Sequence, residues 1–157
     1  MSPDCRTWKF SLSDRPPRLR RTSGWPALLR DHLTAAEGHR FSWGSFDCAL
    51  FASDWVLLAT GHDPAAGFRG RYRTANGARR QLRRLGTGYL WSTFGGLMPL
   101  QVPAGELQRG DIAAGRGAGG EQALGVVGLC GRRAWFPSIE GGIAAEALDT
   151  LTKGWRV

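Results

Sequence analysis

The spacing of the apolar residues changes near residue 100, from a helical period to a strand-like one. Before this point, apolar residues recur every three or four positions and predict helices over 25–38, 47–60, 74–85 and 89–94. After it, short apolar runs separated by glycine-rich turns predict strands at 111–114, 123–130 and 134–136. Because the helices come first and the strands second, the sequence predicts an α+β fold with N-terminal helices packed on a C-terminal antiparallel β-sheet.

The chain of 157 residues has the usual length of a single domain. We assign residues 24–157 to this domain and residues 1–23 to a basic N-terminal extension, which carries arginines and prolines but no helical or strand period. No apolar run is long enough for a membrane span, and the first residues lack the order of a signal peptide. We therefore expect neither a membrane span nor an export signal.

The charge is strongly positive and concentrated in one segment. Nineteen arginines and two lysines against thirteen acidic residues give +8, and residues 64–105 contain seven arginines and no acid. We expect five of these arginines to bind an acidic partner: Arg69, Arg79, Arg80, Arg83 and Arg84. The alternative is a solvated helix face. No helix-turn-helix, zinc-finger or RNA-recognition motif accompanies the charge, so we expect no nucleic-acid partner.

Cys48 lies in the first turn of the predicted helix 47–60, after a short aromatic loop that contains Trp43. Ser45 or Asp47 is suited to cap this turn. Backbone N–H groups and the helix dipole stabilise a thiolate there, so the sequence predicts a thiol pKa below its usual value of about 8.5. The position suits a nucleophile. The alternative is an unreactive cysteine in a helix so apolar that we expect it to be buried on all sides.

The sequence predicts no metal site and no cofactor. The three cysteines show neither a CxxC pair nor the spacing of Cys and His ligands, which also argues against a disulfide framework. The glycine run 115–120 lacks the Gly-Lys-Ser/Thr sequence of a phosphate-binding loop. We expect it to be a hairpin loop between two strands.

Three motifs resemble the bacterial cell-wall cysteine peptidases of the NlpC type: Phe-x-Trp-Gly-x-x-Asp-Cys at 41–48, Gly-Asp at 110–111, and the strand 123–128. The resemblance implies a papain-like fold with Cys48 as the nucleophile, and we place Trp43 and Asp47 beside it as binding residues. Further motifs are Thr-Gly-x-Asp-Pro at 60–64, Phe-Arg-Gly-x-Tyr at 68–72 and the closing Trp-Arg-Val at 155–157. With these, residues 25–157 more closely resemble a family found in tailed phages and prophages. This resemblance implies other tail-tip or baseplate proteins as partners, and a location in the virion after synthesis in the bacterial cytoplasm.

The resemblance fails at the catalytic base. In NlpC-type peptidases a His-Val-Gly-Ile-like strand supplies it, whereas here Ala123 occupies that position. His32 lies in the middle of a predicted helix, and His62 lies beyond the far end of a helix about 18 Å long. His39 is therefore the remaining candidate for the base, and its alternative role is to brace the loop.

Loss of one triad member lowers turnover by roughly four to six orders of magnitude. We therefore expect a structural component of a phage or phage-like tail tip or baseplate, with a peptidase-like fold that lacks full catalytic competence. Two alternatives stay open. One is an active peptidoglycan-degrading cysteine endopeptidase or amidase that assists genome entry, and the other is a module that binds peptidoglycan without hydrolysis.

Overall fold

The computed structural model describes residues 18–157. Its four helices are α1 (Trp25–Ala36), α2 (Cys48–Thr60), α3 (Ala75–Leu85) and α4 (Leu90–Gly96). Its six strands are β1 (Gln101–Pro103), β2 (Ile112–Arg116), β3 (Gln122–Val127), β4 (Arg133–Pro137), β5 (Ile143–Ala147) and β6 (Lys153–Trp155). The α+β class predicted from the sequence is confirmed. Between residues 18 and 157, no helix has the length and apolar character needed to cross a membrane.

All six strands join one antiparallel sheet in the order β1-β6-β2-β3-β4-β5. The hairpin of β2 and β3 lies at its centre, paired from Ile112 with Val126 to Arg116 with Gln122. The predicted antiparallel sheet is therefore confirmed. Residues 117–120 of the predicted hairpin loop lie between β2 and β3, whereas Gly115 and Arg116 form the end of β2.

The main core lies between the sheet and helices α1, α2 and α4. Its largest fully buried side chains include Trp55 and Phe51 from α2, Leu124 from β3 and Trp155 from β6. Each such side chain contributes roughly 1.5–3 kcal/mol through the hydrophobic effect. The Trp55 Nε1 also donates a 2.7 Å hydrogen bond to the carbonyl oxygen of Gly110. These contacts hold α2 against the central hairpin and so fix where its first residue lies.

Helix α2 and strand β3 differ in detail from the prediction. Gly61, with φ of 79°, ends α2 as expected. The helix is not buried on all sides, however, because residues 18–157 leave Leu57 and Leu58 in its last turns 40% and 47% exposed. Strand β3 ends at Val127 rather than at residue 130, because Gly128 begins a turn into β4.

The predicted extension joins the domain earlier than residue 24. The Arg21 Nη2 lies 3.0 Å from Asp111 Oδ1, and Arg21 Nε donates to the carbonyl oxygen of Val157 at 3.1 Å. The backbone N–H of Thr22 also donates to the carbonyl oxygen of Ala59 at 2.7 Å. Residues 18–23 have no period because the segment docks through individual contacts rather than as a helix or strand. Residues 1–17 of the predicted extension lie outside the described residues.

Candidate functional site

A tight aromatic loop, residues 41–46, leads into α2. Ser42 and Phe46 close it through two backbone hydrogen bonds of 3.0 and 2.8 Å. The Trp43 ring packs edge-on against Phe41, with ring centroids 5.0 Å apart, and Trp43 remains 37% exposed. The loop therefore presents an aromatic side chain to solvent next to the start of α2.

Asp47 is the buried N-cap of α2. Its Oδ1 accepts a 3.0 Å hydrogen bond from the backbone N–H of Leu50, and its Oδ2 accepts from Gly44 N at 2.9 Å and from the Tyr72 hydroxyl at 2.6 Å. Both carboxylate oxygens are thus engaged in holding the loop and the helix together. Because Asp47 is the cap, Cys48 is the first helical residue, as the sequence predicts.

A cleft of about 780 Å³ opens above this helix start. Its lining contains Cys48 and Asp47 at the start of α2, the aromatic residues Trp43 and Tyr72, and residues of α3 and of the tip of the β2–β3 hairpin. Trp43, Asp47 and Cys48, which the sequence analysis places beside one another, all line this cleft.

The Cys48 thiol differs from the prediction. Cys48 is half-buried, and desolvation raises the pKa of its thiol to about 12. The Asp47 carboxylate adds to this rise, whereas backbone N–H groups of Leu124 and Ala49 act against it. The expectation of a lowered pKa is wrong, because burial against β3 outweighs the helix N-terminus. The sulfur is a neutral thiol at physiological pH.

None of the three histidines lines the cleft. The His39 Nδ1 lies 2.7 Å from the carbonyl oxygen of Ala35, and its ring stacks on Phe46 with centroids 5.0 Å apart. This geometry gives His39 the loop-bracing role rather than that of the base. The other two rings also contact backbone carbonyls, His32 at Phe51 and His62 at Leu97.

The strand position where the resemblance expects the base lies close to the thiol. Cys48 packs against the buried cluster that contains Ala123, and the next residue, Leu124, directs its backbone N–H at the sulfur. A methyl group at position 123 accepts no proton. The hairpin contributes one carboxyl residue to the cleft lining, Glu121, which is exposed at its tip.

The arginines of α3 lie outward, as the sequence predicts. Arg79, Arg80, Arg83 and Arg84 are all exposed, and within residues 18–157 none of them forms a salt bridge. Arg79 lines the cleft. We call these four residues the arginine ridge.

Arg69 does not belong to the arginine ridge. Its guanidinium lies 2.7 Å from Asp63 Oδ2 and 2.7 Å from Asp54 Oδ1. It therefore ties the turn after α2 back to that helix. Arg69 is grouped with the ridge as a binding residue in the sequence analysis, and in the structure two carboxylates of the same domain pair with it.

Sequence reasoning missed Tyr72 and Tyr89 as lining residues. Desolvation and the neighbouring Asp47 carboxylate raise the pKa of the Tyr72 hydroxyl, which keeps it protonated as a donor. Tyr89 is 69% exposed at the cleft's edge. The available signal was two tyrosines flanking an arginine-rich amphipathic helix. Among the described residues, no group of three or more His, Cys, Asp or Glu side chains is placed to hold a metal ion.

Comparison with protein families gives a match that covers the whole domain. Residues 20–157 match the family described as Domain of unknown function (DUF6950). The match begins within the segment that docks on the domain through Arg21. No curated protein matches the chain.

Proposed function

The chain belongs to the DUF6950 family, and we propose that its domain is a non-hydrolytic structural component of a phage or phage-like tail tip or baseplate. The proposal rests on one observation. Cys48 is the first residue of α2 and lines the cleft, but Ala123 occupies the neighbouring position on β3 and no histidine lines the cleft. A cysteine at a helix start packed on an antiparallel sheet also supports a papain-like, NlpC-type fold. The tail location rests on the sequence motifs.

Two features of the cleft argue against hydrolysis: the protonated Cys48 thiol and the lack of a histidine base. A nucleophilic cysteine reacts as the thiolate, and a thiol with a pKa of about 12 is almost wholly protonated at pH 7. A base within hydrogen-bond distance would remedy this, but the cleft lining contains no imidazole. Together these features leave a shaped cleft without the groups that would activate its nucleophile.

A peptidoglycan-binding module without hydrolysis is the second candidate. Trp43 and Tyr89 place two partly exposed aromatic rings in the lining of the cleft. Exposed aromatic residues around a concave site provide contact area at a low entropic cost. This candidate keeps the inactive thiol and differs from the first only in what the cleft binds.

The purified protein tests these functions directly. Incubated with soluble peptidoglycan fragments, it should leave their mass spectrum unchanged, as should the Cys48→Ser variant. Cleavage that disappears in Cys48→Ser would instead establish a peptidase, and its loss in His39→Ala as well would identify the base. Co-sedimentation with insoluble peptidoglycan would select the binding module.

The tail location needs a separate measurement. Particles purified from a host that encodes this chain should contain it in a fixed ratio to the major tail protein, as measured by quantitative mass spectrometry. Its absence from intact particles would overturn the structural role, whatever the outcome of the hydrolysis assay.

A further inference from the structure

Helix α3 packs unusually lightly for an amphipathic helix. It buries no residue fully, and its apolar side chains Ala75, Ala78 and Leu82 are half-buried in the wall of the cleft. Hydrogen bonds tether the flanking segments: Tyr72 to Asp47 before the helix, and Thr87 N to Thr93 Oγ1 after it. The middle of the helix therefore faces the cleft with an apolar surface that residues 18–157 leave partly exposed.

The charged side chains of α3 all have one sign, whereas the facing hairpin contributes Glu121 to the cleft lining. The arginine ridge runs along the same helix, and Arg79 contributes to the cleft lining itself. Within the described residues the ridge arginines lack acidic partners, and Arg79 Nη1 donates only to Asn76 Oδ1, at 3.0 Å. An apolar strip beside arginines that lack acidic partners among residues 18–157 is complementary to a ligand that is apolar at its centre and acidic beside it.

We propose that the cleft between α3 and the β2–β3 hairpin binds a segment of an acidic partner protein. A large apolar side chain of that segment enters against Ala78 and Leu82, and neighbouring Asp or Glu residues pair with the arginine ridge. This inference rests on the proposed function, because it supplies the contact by which a non-hydrolytic domain joins an assembly.

The apolar strip and the arginine ridge have different roles in binding. Burial of a Leu- or Phe-sized side chain provides most of the affinity, and charge pairing increases the association rate and sets the register. A nucleic acid would use the ridge alone and would leave the apolar strip of α3 uncovered. The joint presence of both features therefore favours a protein segment.

The test begins with random peptides displayed on particles and selected against the immobilised full chain. The expected consensus combines one large apolar residue with at least two acidic residues. A fluorescein-labelled peptide of that consensus then reports affinity by anisotropy. Ala78→Phe, which fills the cleft, should weaken binding at least about tenfold, the loss expected when one large side chain can no longer be buried.

Two control variants separate the site from general effects. Ala27→Phe makes the same change at an exposed position of α1 and should leave the affinity unchanged. Replacing the four ridge arginines by Gln should weaken binding and remove most of its salt dependence. The matched replacement of Arg30, Arg40, Arg132 and Arg133, all exposed elsewhere, should do neither. Far-UV circular dichroism and the thermal midpoint confirm that each variant is folded.

Three outcomes would overturn the proposal. The first is selection without an acidic and apolar consensus, and the second is binding that Ala78→Phe leaves intact. The third is a labelled single-stranded oligonucleotide that binds the ridge and is not displaced by the peptide, which would indicate a nucleic-acid surface. None of these results bears on hydrolysis or on particle content, so the failure of this inference is distinguishable from the failure of the proposed function.

Discussion

The hydroxyl of Tyr72 donates a 2.6 Å hydrogen bond to the Asp47 carboxylate, joining the segment before α3 to the start of α2. Asp47 is itself fully buried and caps α2. The same carboxylate therefore fixes the helix that carries Cys48 and anchors the helix that forms the cleft wall. Two parts of the cleft lining, the start of α2 and helix α3, therefore depend on a single acidic side chain.

Removing this hydroxyl should destabilise the domain. Tyr72→Phe leaves Asp47 with its two backbone donors but removes a hydrogen bond to a charged group, so we expect a loss of about 1–2 kcal/mol in the free energy of unfolding. Urea denaturation measures it. Tyr89→Phe is the control, because the Tyr89 hydroxyl has no hydrogen-bond partner among residues 18–157 and the ring is 69% exposed. Equal midpoints for the two variants would contradict a structural role for the Tyr72 contact.

The pH dependence of alkylation tests the state of the Cys48 thiol. With a pKa of about 12, only about 10⁻⁴ of the thiol is ionised at pH 8. The rate of modification by iodoacetamide should therefore stay low at neutral pH and keep rising through pH 10. Peptide mass spectrometry distinguishes Cys48 from Cys130, which is exposed and serves as the internal control. Fast modification that is already constant above pH 7 would show an activated thiolate and favour the peptidase.

The sequence predicted the helices better than the strands. The 3.6-residue period of α3 and its flanking Thr74 and Gly86 are local signals, and the helix forms where they place it. Strands β1 and β5 went unpredicted, because Gln101–Pro103 contains a proline and Ile143–Ala147 is mostly alanine. These segments become strands through pairing with residues distant in sequence, which no local pattern records.

The site shows the same division between local and distant effects. Cys48 lies at the predicted helix start because Asp47 caps the helix three residues before Leu50, which is a local arrangement. The pKa of the thiol depends instead on β3, far along the chain, so the sign of its shift could not be predicted from the helix alone. The contact of Tyr72 with Asp47 could not be predicted from residue spacing either, because the two residues lie 25 positions apart in the sequence.

The carboxylate of Asp111 forms ion pairs with an arginine near each end of the described chain. It lies 3.0 Å from Arg21 Nη2 and 3.4 Å from Arg156 Nε, and it is fully buried. Breaking a buried ion pair leaves an uncompensated charge, so Asp111→Asn should cost about 3 kcal/mol or more of unfolding free energy.

The matched control for this prediction is Asp31→Asn. The pair of Asp31 with Arg30 has nearly the same length, 3.1 Å, but both side chains are about two-thirds exposed. Its loss should cost less than about 1 kcal/mol. Equal effects of the two substitutions on denaturation would show that the buried network does not fasten the N-terminal segment.

Gly44, in the loop before Cys48, should tolerate no side chain. Its φ of 79° lies in the left-handed region, and a β-carbon there would overlap the carbonyl oxygen of Tyr72. Gly24 has nearly the same φ, 78°, but nothing within 4 Å of the corresponding position. Gly24→Ala should therefore show the backbone strain alone, about 1–2 kcal/mol. Gly44→Ala should add a further cost of about 1–3 kcal/mol from overpacking.

The difference between these two variants isolates the close approach of Tyr72 to the loop, because the backbone strain is common to both. The thermal midpoint of the Gly44→Ala variant should be clearly lower than that of Gly24→Ala. If the segment before α3 moves away to admit the methyl group, the hydrogen bond from Tyr72 to Asp47 is lost. Tyr72→Phe should then add little further destabilisation to the Gly44→Ala variant. Additive effects in the double variant would mean that the loop and the tyrosine are not coupled, and that the conformation of residues 41–47 alone positions Cys48.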